Sequence, residues 1–153
     1  MKKFLILSFI FISCQNISDE IIVDTDVEDM YLRYNKAWSE GDFETITNEI
    51  YSAPFSLYLQ DSTIILNSPE EIKNFLIITF DELEMNNYGY SIRNSWESYK
   101  LDDNLVIVEQ NFTRFLKDST IMGPAERTAS YILRKSNGKF QITGMVPHTT
   151  IAK

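Results

Sequence analysis

The chain contains one cysteine and one histidine, Cys14 and His148, among its 153 residues. A single thiol cannot form an intramolecular disulfide, and one cysteine with one histidine cannot build a zinc site of the usual Cys/His type. No spacing of His, Asp and Glu resembles a metal site either. We therefore expect a domain that has neither disulfides nor a bound metal.

Glycine-rich catalytic motifs are also missing, and the chain has only five glycines and four prolines. It has no phosphate-binding loop of the Walker type and no Gly-x-Ser-x-Gly elbow, which would present a nucleophilic serine. These absences argue against nucleotide chemistry and against an elbow-type hydrolase. We expect no cofactor.

Positive charge is scarce, because 14 Lys and Arg residues face 22 Asp and Glu residues, for a formal net charge of −8 at pH 7. An acidic chain repels nucleic acid and anionic lipid headgroups, so nucleic-acid binding is excluded as a primary role. Aromatic residues are abundant, with 10 Phe, 8 Tyr and 2 Trp. They suit either a well-filled core or the wall of a cavity.

Long apolar runs are absent as well. The longest run covers residues 4–12 after Lys2 and Lys3, whereas a helix needs about 20 residues to span a bilayer. A basic start, a short apolar stretch and a small residue are typical of a secretory signal peptide. Residues 11–14 read Phe-Ile-Ser-Cys and resemble the Leu-(Ala/Ser)-(Gly/Ala)-Cys box of bacterial lipoproteins.

The lipoprotein resemblance implies cleavage before Cys14 and attachment of a diacylglyceryl group to its thiol. We therefore predict a signal peptide over residues 1–13, then a lipidated cysteine and tether over residues 14–23. Gln15 favours the outer membrane of a bacterial cell envelope, on its periplasmic or surface face. There are two alternatives. One is an ordinary signal peptide in which the cysteine is incidental, and the other is an anchor that is not cleaved.

Three segments of the remaining chain are predicted to be helices. The first begins at a capping box formed by Thr25 and Glu28 and ends at Gly41. A second, short helix follows Asp42. The third has the clearest start, because Ser68 is a good cap and a proline occupies the first helical position.

Beyond the third helix the apolar period changes to two. We predict long strands over residues 88–101, 105–117, 126–135 and 139–148. An Asn-Gly turn joins the last two strands. A short hairpin formed by residues 55–60 and 63–66 precedes the third helix. Helices and strands are thus segregated along the chain, which indicates an α+β fold.

Two segments resemble the nuclear transport factor 2-like superfamily, most closely its polyketide-cyclase-like (SnoaL-like) members. Residues 34–43 read Tyr-Asn-Lys-Ala-Trp-Ser-Glu-Gly-Asp-Phe, like a first helix ending in Trp-x-x-Gly-Asp. Residues 131–142 read Tyr-Ile-Leu-Arg-Lys-Ser-Asn-Gly-Lys-Phe-Gln-Ile, like a final hairpin in which Phe140 replaces the usual tryptophan. The resemblance implies a cystatin-like cone over residues 24–150: a curved antiparallel sheet around about three N-terminal helices, with a mostly apolar pocket.

This superfamily includes isomerases, cyclases, dehydratases and non-catalytic modules, so the resemblance does not determine an activity. Steroid-isomerase-like members carry carboxylates on the first hairpin, but here residues 51–60 contain no acidic residue. A cofactor-independent isomerase, dehydratase or hydrolase would have to use Asp61, Glu109 or His148. We expect a non-catalytic domain and keep such an enzyme as the alternative.

Seven residues are candidates for the lining of the pocket: Tyr31, Tyr34, Trp38, Asn94, Trp96, Glu109 and Arg127. The aromatic members could equally be core residues. Glu109, Asn94 and Arg127 could converge on a ligand, although a surface ladder of unlike charges fits the same pattern. A bulge of one residue would exchange the two faces of a strand, so the sequence does not decide between these interpretations.

The sequence therefore predicts a lipid-anchored protein of the cell envelope whose single domain binds a small molecule or another protein. The expected partners are the membrane, through the N-terminal lipid, and a small apolar or amphipathic ligand. A second copy of the chain, bound through the outer face of the sheet, is a further candidate.

Overall fold

The computed structural model describes residues 25–148 of the chain. The predicted signal peptide, Cys14 and the tether lie outside this range. Within it, no helix is long and apolar enough to cross a membrane. The same part of the chain contains no group of three or more His, Cys, Asp or Glu side chains placed to hold a metal ion.

The helical part precedes most of the sheet, as predicted. The helices are α1 (Thr25–Glu40), the short α2 (Phe43–Thr45) with a π-helical turn (Ile46–Ile50), and α3 (Pro69–Met85). The strands are β1 (Tyr51–Tyr58), β2 (Thr63–Leu66), β3 (Tyr88–Asp102), β4 (Leu105–Leu116), β5 (Arg127–Ser136) and β6 (Lys139–His148). The α+β fold class is confirmed.

Local sequence signals explain where α3 begins. The Ser68 hydroxyl accepts a hydrogen bond from the Glu71 amide at 3.2 Å, and the Glu71 carboxylate accepts one from the Asn67 amide at 2.8 Å. These bonds satisfy amide groups that have no partner inside the helix. Ile72, Leu76 and Leu83 form its buried face.

The six strands form one sheet in the order β2-β1-β6-β5-β4-β3. All neighbours are antiparallel except β1 and β6, which pair in parallel. This differs from the wholly antiparallel sheet expected, because the long connection between these two strands permits a parallel pair. β1 also starts earlier than predicted, at Tyr51, and runs through Pro54, since its pairing with β6 is irregular between Tyr51 and Ser56.

One face of the sheet, the inner face, packs against the helices and carries the core. On β4 it presents Val106 and Val108, which are buried, and on β5 it presents Tyr131 and Leu133. Phe140 is also buried. It stands at the position where the hairpin that this segment resembles usually has a tryptophan. The opposite, outer face of β4 presents Leu105, Ile107 and Glu109, which are half-buried.

Candidate functional site

A cavity of about 420 Å³ lies between the helices and the inner face of the sheet. Its walls come from α1, α3, strands of the sheet and the loop between β4 and β5. Most of the wall is apolar or aromatic, including Trp38, Phe55, Leu57, Phe75, Phe112 and Met145. A concave, mostly apolar cavity of this size is typical of small-molecule sites.

Three tyrosines bring hydroxyl groups to this apolar wall. The Tyr34 and Tyr51 hydroxyls form a hydrogen bond at 3.0 Å, and the Tyr34 and Tyr131 rings meet edge to face with centroids 6.0 Å apart. Burial raises the pKa of all three phenols, and the neighbouring tyrosines raise it further. The hydroxyls are therefore neutral near pH 7 and serve as hydrogen-bond donors or acceptors rather than as bases.

Gln110 adds an amide to the same cavity. It lies on β4 opposite Trp96 and Ala129 and is 5 % exposed. Its side-chain carbonyl oxygen is buried and has no hydrogen-bond partner among the described residues. An unsatisfied buried acceptor costs roughly 1–3 kcal/mol, so a ligand that donates a hydrogen bond would relieve this cost.

Two arginines, Arg114 from the end of β4 and Arg127 from the start of β5, bring positive charge to the cavity. Burial lowers the pKa of Arg114, and the charge of Arg127 lowers it further. Even so, a guanidinium stays protonated in proteins. The Nε atoms of both side chains are buried and lack a hydrogen-bond partner within the described chain. Of the carboxylates in residues 25–148, Glu126 alone lines the cavity, and it is exposed.

A family model of NTF2-like proteins (DUF6841) matches residues 24–150. The chain belongs to this NTF2-like family. No curated protein resembles the chain at a significant level. The family description fits the cystatin-like fold built above and specifies no activity.

Solved structures share the NTF2-like fold at low sequence identity. An NTF2-like protein with a cystatin-like fold from Novosphingobium aromaticivorans has a TM-score of 0.65 and 10% identity, covering 84% of this chain and 82% of that one. Aln2 from a Streptomyces species has a TM-score of 0.64 and 14% identity, covering 82% and 88%. The beta subunit of an aromatic-ring-hydroxylating dioxygenase assigned in Novosphingobium aromaticivorans has a TM-score of 0.58 and 8% identity, covering 84% and 90%. At these identities the likeness extends to the fold alone.

The NTF2-like domain brings three of the seven predicted lining residues to the cavity, namely Tyr34, Trp38 and Arg127. Tyr31 is completely buried and stacks on Trp96, with ring centroids 5.8 Å apart. These two aromatic rings belong to the hydrophobic core beside the cavity and do not line it.

Asn94 and Glu109 are not brought to the cavity, and they do not converge with Arg127. The Asn94 amide donates to Asn111 at 2.7 Å and to Thr113 at 2.9 Å. Glu109 lies opposite Glu97 on the outer face. The reason is a bulge: Arg93 pairs with Phe112 and Ser95 with Asn111, which leaves Asn94 as an extra residue on β3.

The three candidate catalytic groups are also separated. Asp61 is exposed in the turn after β1, and Glu109 lies on the outer face. Of the three, only His148 lines the cavity. Its Nε2 atom lies 2.9 Å from the hydroxyl of Ser130, a residue that does not line the cavity.

Sequence reasoning missed Arg114, Gln110, Tyr51 and Tyr131 as lining residues. A signal for two of them exists in β4, since alternate residues from Val106 onwards point to the inner face. The same parity assigns Gln110 and Arg114 to the cavity side of the strand.

Proposed function

We propose that this NTF2-like domain is a non-catalytic binding module that holds one small amphipathic molecule in its cavity. The observation that carries the proposal is the mixed character of the wall. Aromatic and aliphatic side chains form most of it, and a few polar groups with unused hydrogen-bonding capacity converge on the same space. Such a wall binds an apolar body and fixes its orientation through polar contacts.

The separation of the acidic candidates supports binding over catalysis. An isomerase-type site needs a carboxylate base within hydrogen-bond reach of its substrate. Neither Asp61 nor Glu109 lines the cavity, and Glu126, which does, is exposed to solvent. The tyrosines beside the cavity are neutral. His148 does line it, but its neighbour Ser130 is not a lining residue.

Lipid anchoring is the second part of the proposal. The basic start, the short apolar run and Ser13 before Cys14 support processing as a bacterial lipoprotein. Several acyl chains would hold the domain at the membrane, with the outer membrane favoured. The binding module would then work close to a lipid surface in the cell envelope.

The binding proposal is tested by filling the cavity. Ala129 is 3 % exposed and lines the wall, so Ala129→Phe should occupy the ligand's space. Ile107→Phe enlarges a side chain on the outer face of β4 and is the matched control. The full chain in lipid nanodiscs is screened with bicyclic aromatic acids, amides and alcohols by ligand-observed NMR.

We expect hits with the wild type and with Ile107→Phe, and none with Ala129→Phe. The proposal is contradicted if no compound binds the wild type, or if the hits persist in Ala129→Phe. Circular dichroism and urea unfolding show whether both variants fold. If Ala129→Phe does not fold, the wild type alone is tested. The hits must then shift the NMR resonances of residues that line the cavity.

A further inference from the structure

The two arginines of the cavity form no ion pair among the described residues, although the exposed Glu126 also lines the cavity. None of the ion pairs found among residues 25–148 involves Arg114 or Arg127. Both side chains are half-buried, and two like charges partly shielded from solvent repel each other more strongly than they would in water. Folding alone gives no reason to place them together, since an apolar side chain would fill the same space at a lower cost.

The hydrogen-bonding capacity of the pair is largely unused. Each guanidinium offers five N–H donors, and the Nε donors of both side chains are buried without a partner among the described residues. The Nη2 group of Arg127 donates one hydrogen bond to the Met122 carbonyl oxygen at 3.0 Å. Arg114 lies over the Phe112 ring, with its central carbon 5.6 Å from the ring centroid.

The loop between β4 and β5 is shaped around Arg127. A Cβ atom on Gly123 would lie 2.7 Å from the Nη2 atom of Arg127, so the glycine leaves space that the guanidinium occupies. The contact with Met122 fixes the same side chain from the same loop. Arg127 is therefore held in place before any ligand arrives, which lowers the entropic cost of using it for binding.

We propose that the ligand of this cavity is an amphipathic carboxylate, whose anionic group binds between Arg114 and Arg127 while its apolar body contacts the aromatic wall. This inference rests on the binding function proposed above and specifies its chemistry. A guanidinium matches the two oxygens of a carboxylate in a bidentate arrangement, and charge-assisted bonds of this kind are stronger than neutral ones. The anion would also offset the repulsion between the two arginines.

A matched pair of probes tests the charge alone. Naphthalene-2-carboxylate and naphthalene-2-carboxamide have the same ring system and nearly the same shape, but only the first is an anion. Isothermal titration uses the full chain in nanodiscs, with empty nanodiscs as the blank. We expect the carboxylate to bind at least about tenfold more tightly than the amide, the factor that one charge-assisted hydrogen bond supplies.

Arginine variants then test whether the preference for the carboxylate arises at Arg114 and Arg127. Arg114→Gln and Arg127→Gln should each weaken binding of the carboxylate and remove most of its advantage over the amide. Arg134→Gln is the matched control, because Arg134 is an exposed arginine of the same strand as Arg127. The comparison of the two probes on the wild type keeps the inference testable if a variant does not fold.

The other outcomes are distinguishable. Equal affinity for acid and amide, abolished for both by Ala129→Phe, overturns the carboxylate inference and leaves the binding function intact. Tight binding of inorganic phosphate or 2-naphthyl phosphate, with weaker binding of the carboxylate, also overturns it. If neither naphthalene probe nor any other compound binds the wild type, the binding function itself is contradicted.

Discussion

Four buried tyrosines should control how the domain responds to alkaline pH. Burial is the main cause that raises the pKa of the phenols of Tyr31, Tyr34, Tyr51 and Tyr131 above the ordinary value of 10.0. Because each phenol has a higher pKa in the folded state than in the unfolded state, the folded state keeps its full stability below pH 10. Stability is lost as the pH rises above 10, where the phenols of the unfolded chain ionise first. Each tyrosine can lower the unfolding free energy by up to about 1.4 kcal/mol per pH unit in that range.

Urea unfolding between pH 8 and 11, followed together with tyrosinate absorbance, measures this effect. We expect a stability that declines above pH 10 and a tyrosinate signal that appears mainly on unfolding. Tyr51→Phe should reduce the slope, whereas Tyr58→Phe, at a side chain that is 41 % exposed, should not. Complete ionisation of all tyrosines near pH 10 in a folded domain would contradict the prediction.

Single residues of the site were only partly predictable from the sequence. Tyr34 and Trp38 follow from helical spacing along α1, since residues four apart share one face of a helix and both line the cavity. Arg114 did not follow, because an arginine near the end of a strand is usually exposed. Its burial depends on tertiary packing, including Arg127 and the preceding loop, and no local pattern in the sequence encodes that arrangement.

At the scale of secondary-structure elements, the close approach of β3 and β4 depends on Gly89. A Cβ atom there would lie 2.7 Å from the Leu116 carbonyl oxygen, which is backbone and cannot rotate away. We expect Gly89→Ala to destabilise the domain by about 1–3 kcal/mol, the usual cost of overpacking. Chemical denaturation measures this loss.

Gly138→Ala is the comparison for that prediction. Gly138 has a positive φ of 78°, but a Cβ atom there would meet nothing within 4 Å. Its cost comes from backbone conformation alone, about 1–2 kcal/mol. If Gly89→Ala unfolds at the same urea concentration as the wild type, the proposed clash is absorbed by strand movement and the prediction fails.

Elements were more predictable than the faces they present. The capping residues of α3 and the Asn-Gly turn between β5 and β6 act locally, so the sequence was sufficient to predict them. The faces of β3 were not predictable, because the bulge at Asn94 changes which residues point inward. A bulge depends on pairing with β4, and pairing is a property of two strands rather than of one.

For the whole molecule, the proposed anchor makes a prediction independent of the cavity. Cys14→Ser should abolish incorporation of labelled palmitate and stop cleavage of the leader. Ser13→Ala keeps a small residue before the cut and should still be labelled and processed. Metabolic labelling and gel mobility measure both effects. An unlabelled wild type, or a Cys14→Ser chain that is still labelled, would contradict lipidation.

The extra residue in β3 has a consequence for how relatives should be compared. Residues before and after Asn94 follow opposite parities, so an alignment that runs through this position without a gap exchanges interior and exterior sites for half of the strand. A chain that lacked Asn94 alone could keep the pairs of Arg93 with Phe112 and of Ser95 with Asn111, so the flanking side chains would stay on the same faces of the sheet. A gap placed at Asn94 therefore keeps the inward-facing residues on both sides of the bulge aligned with those of a relative that lacks it.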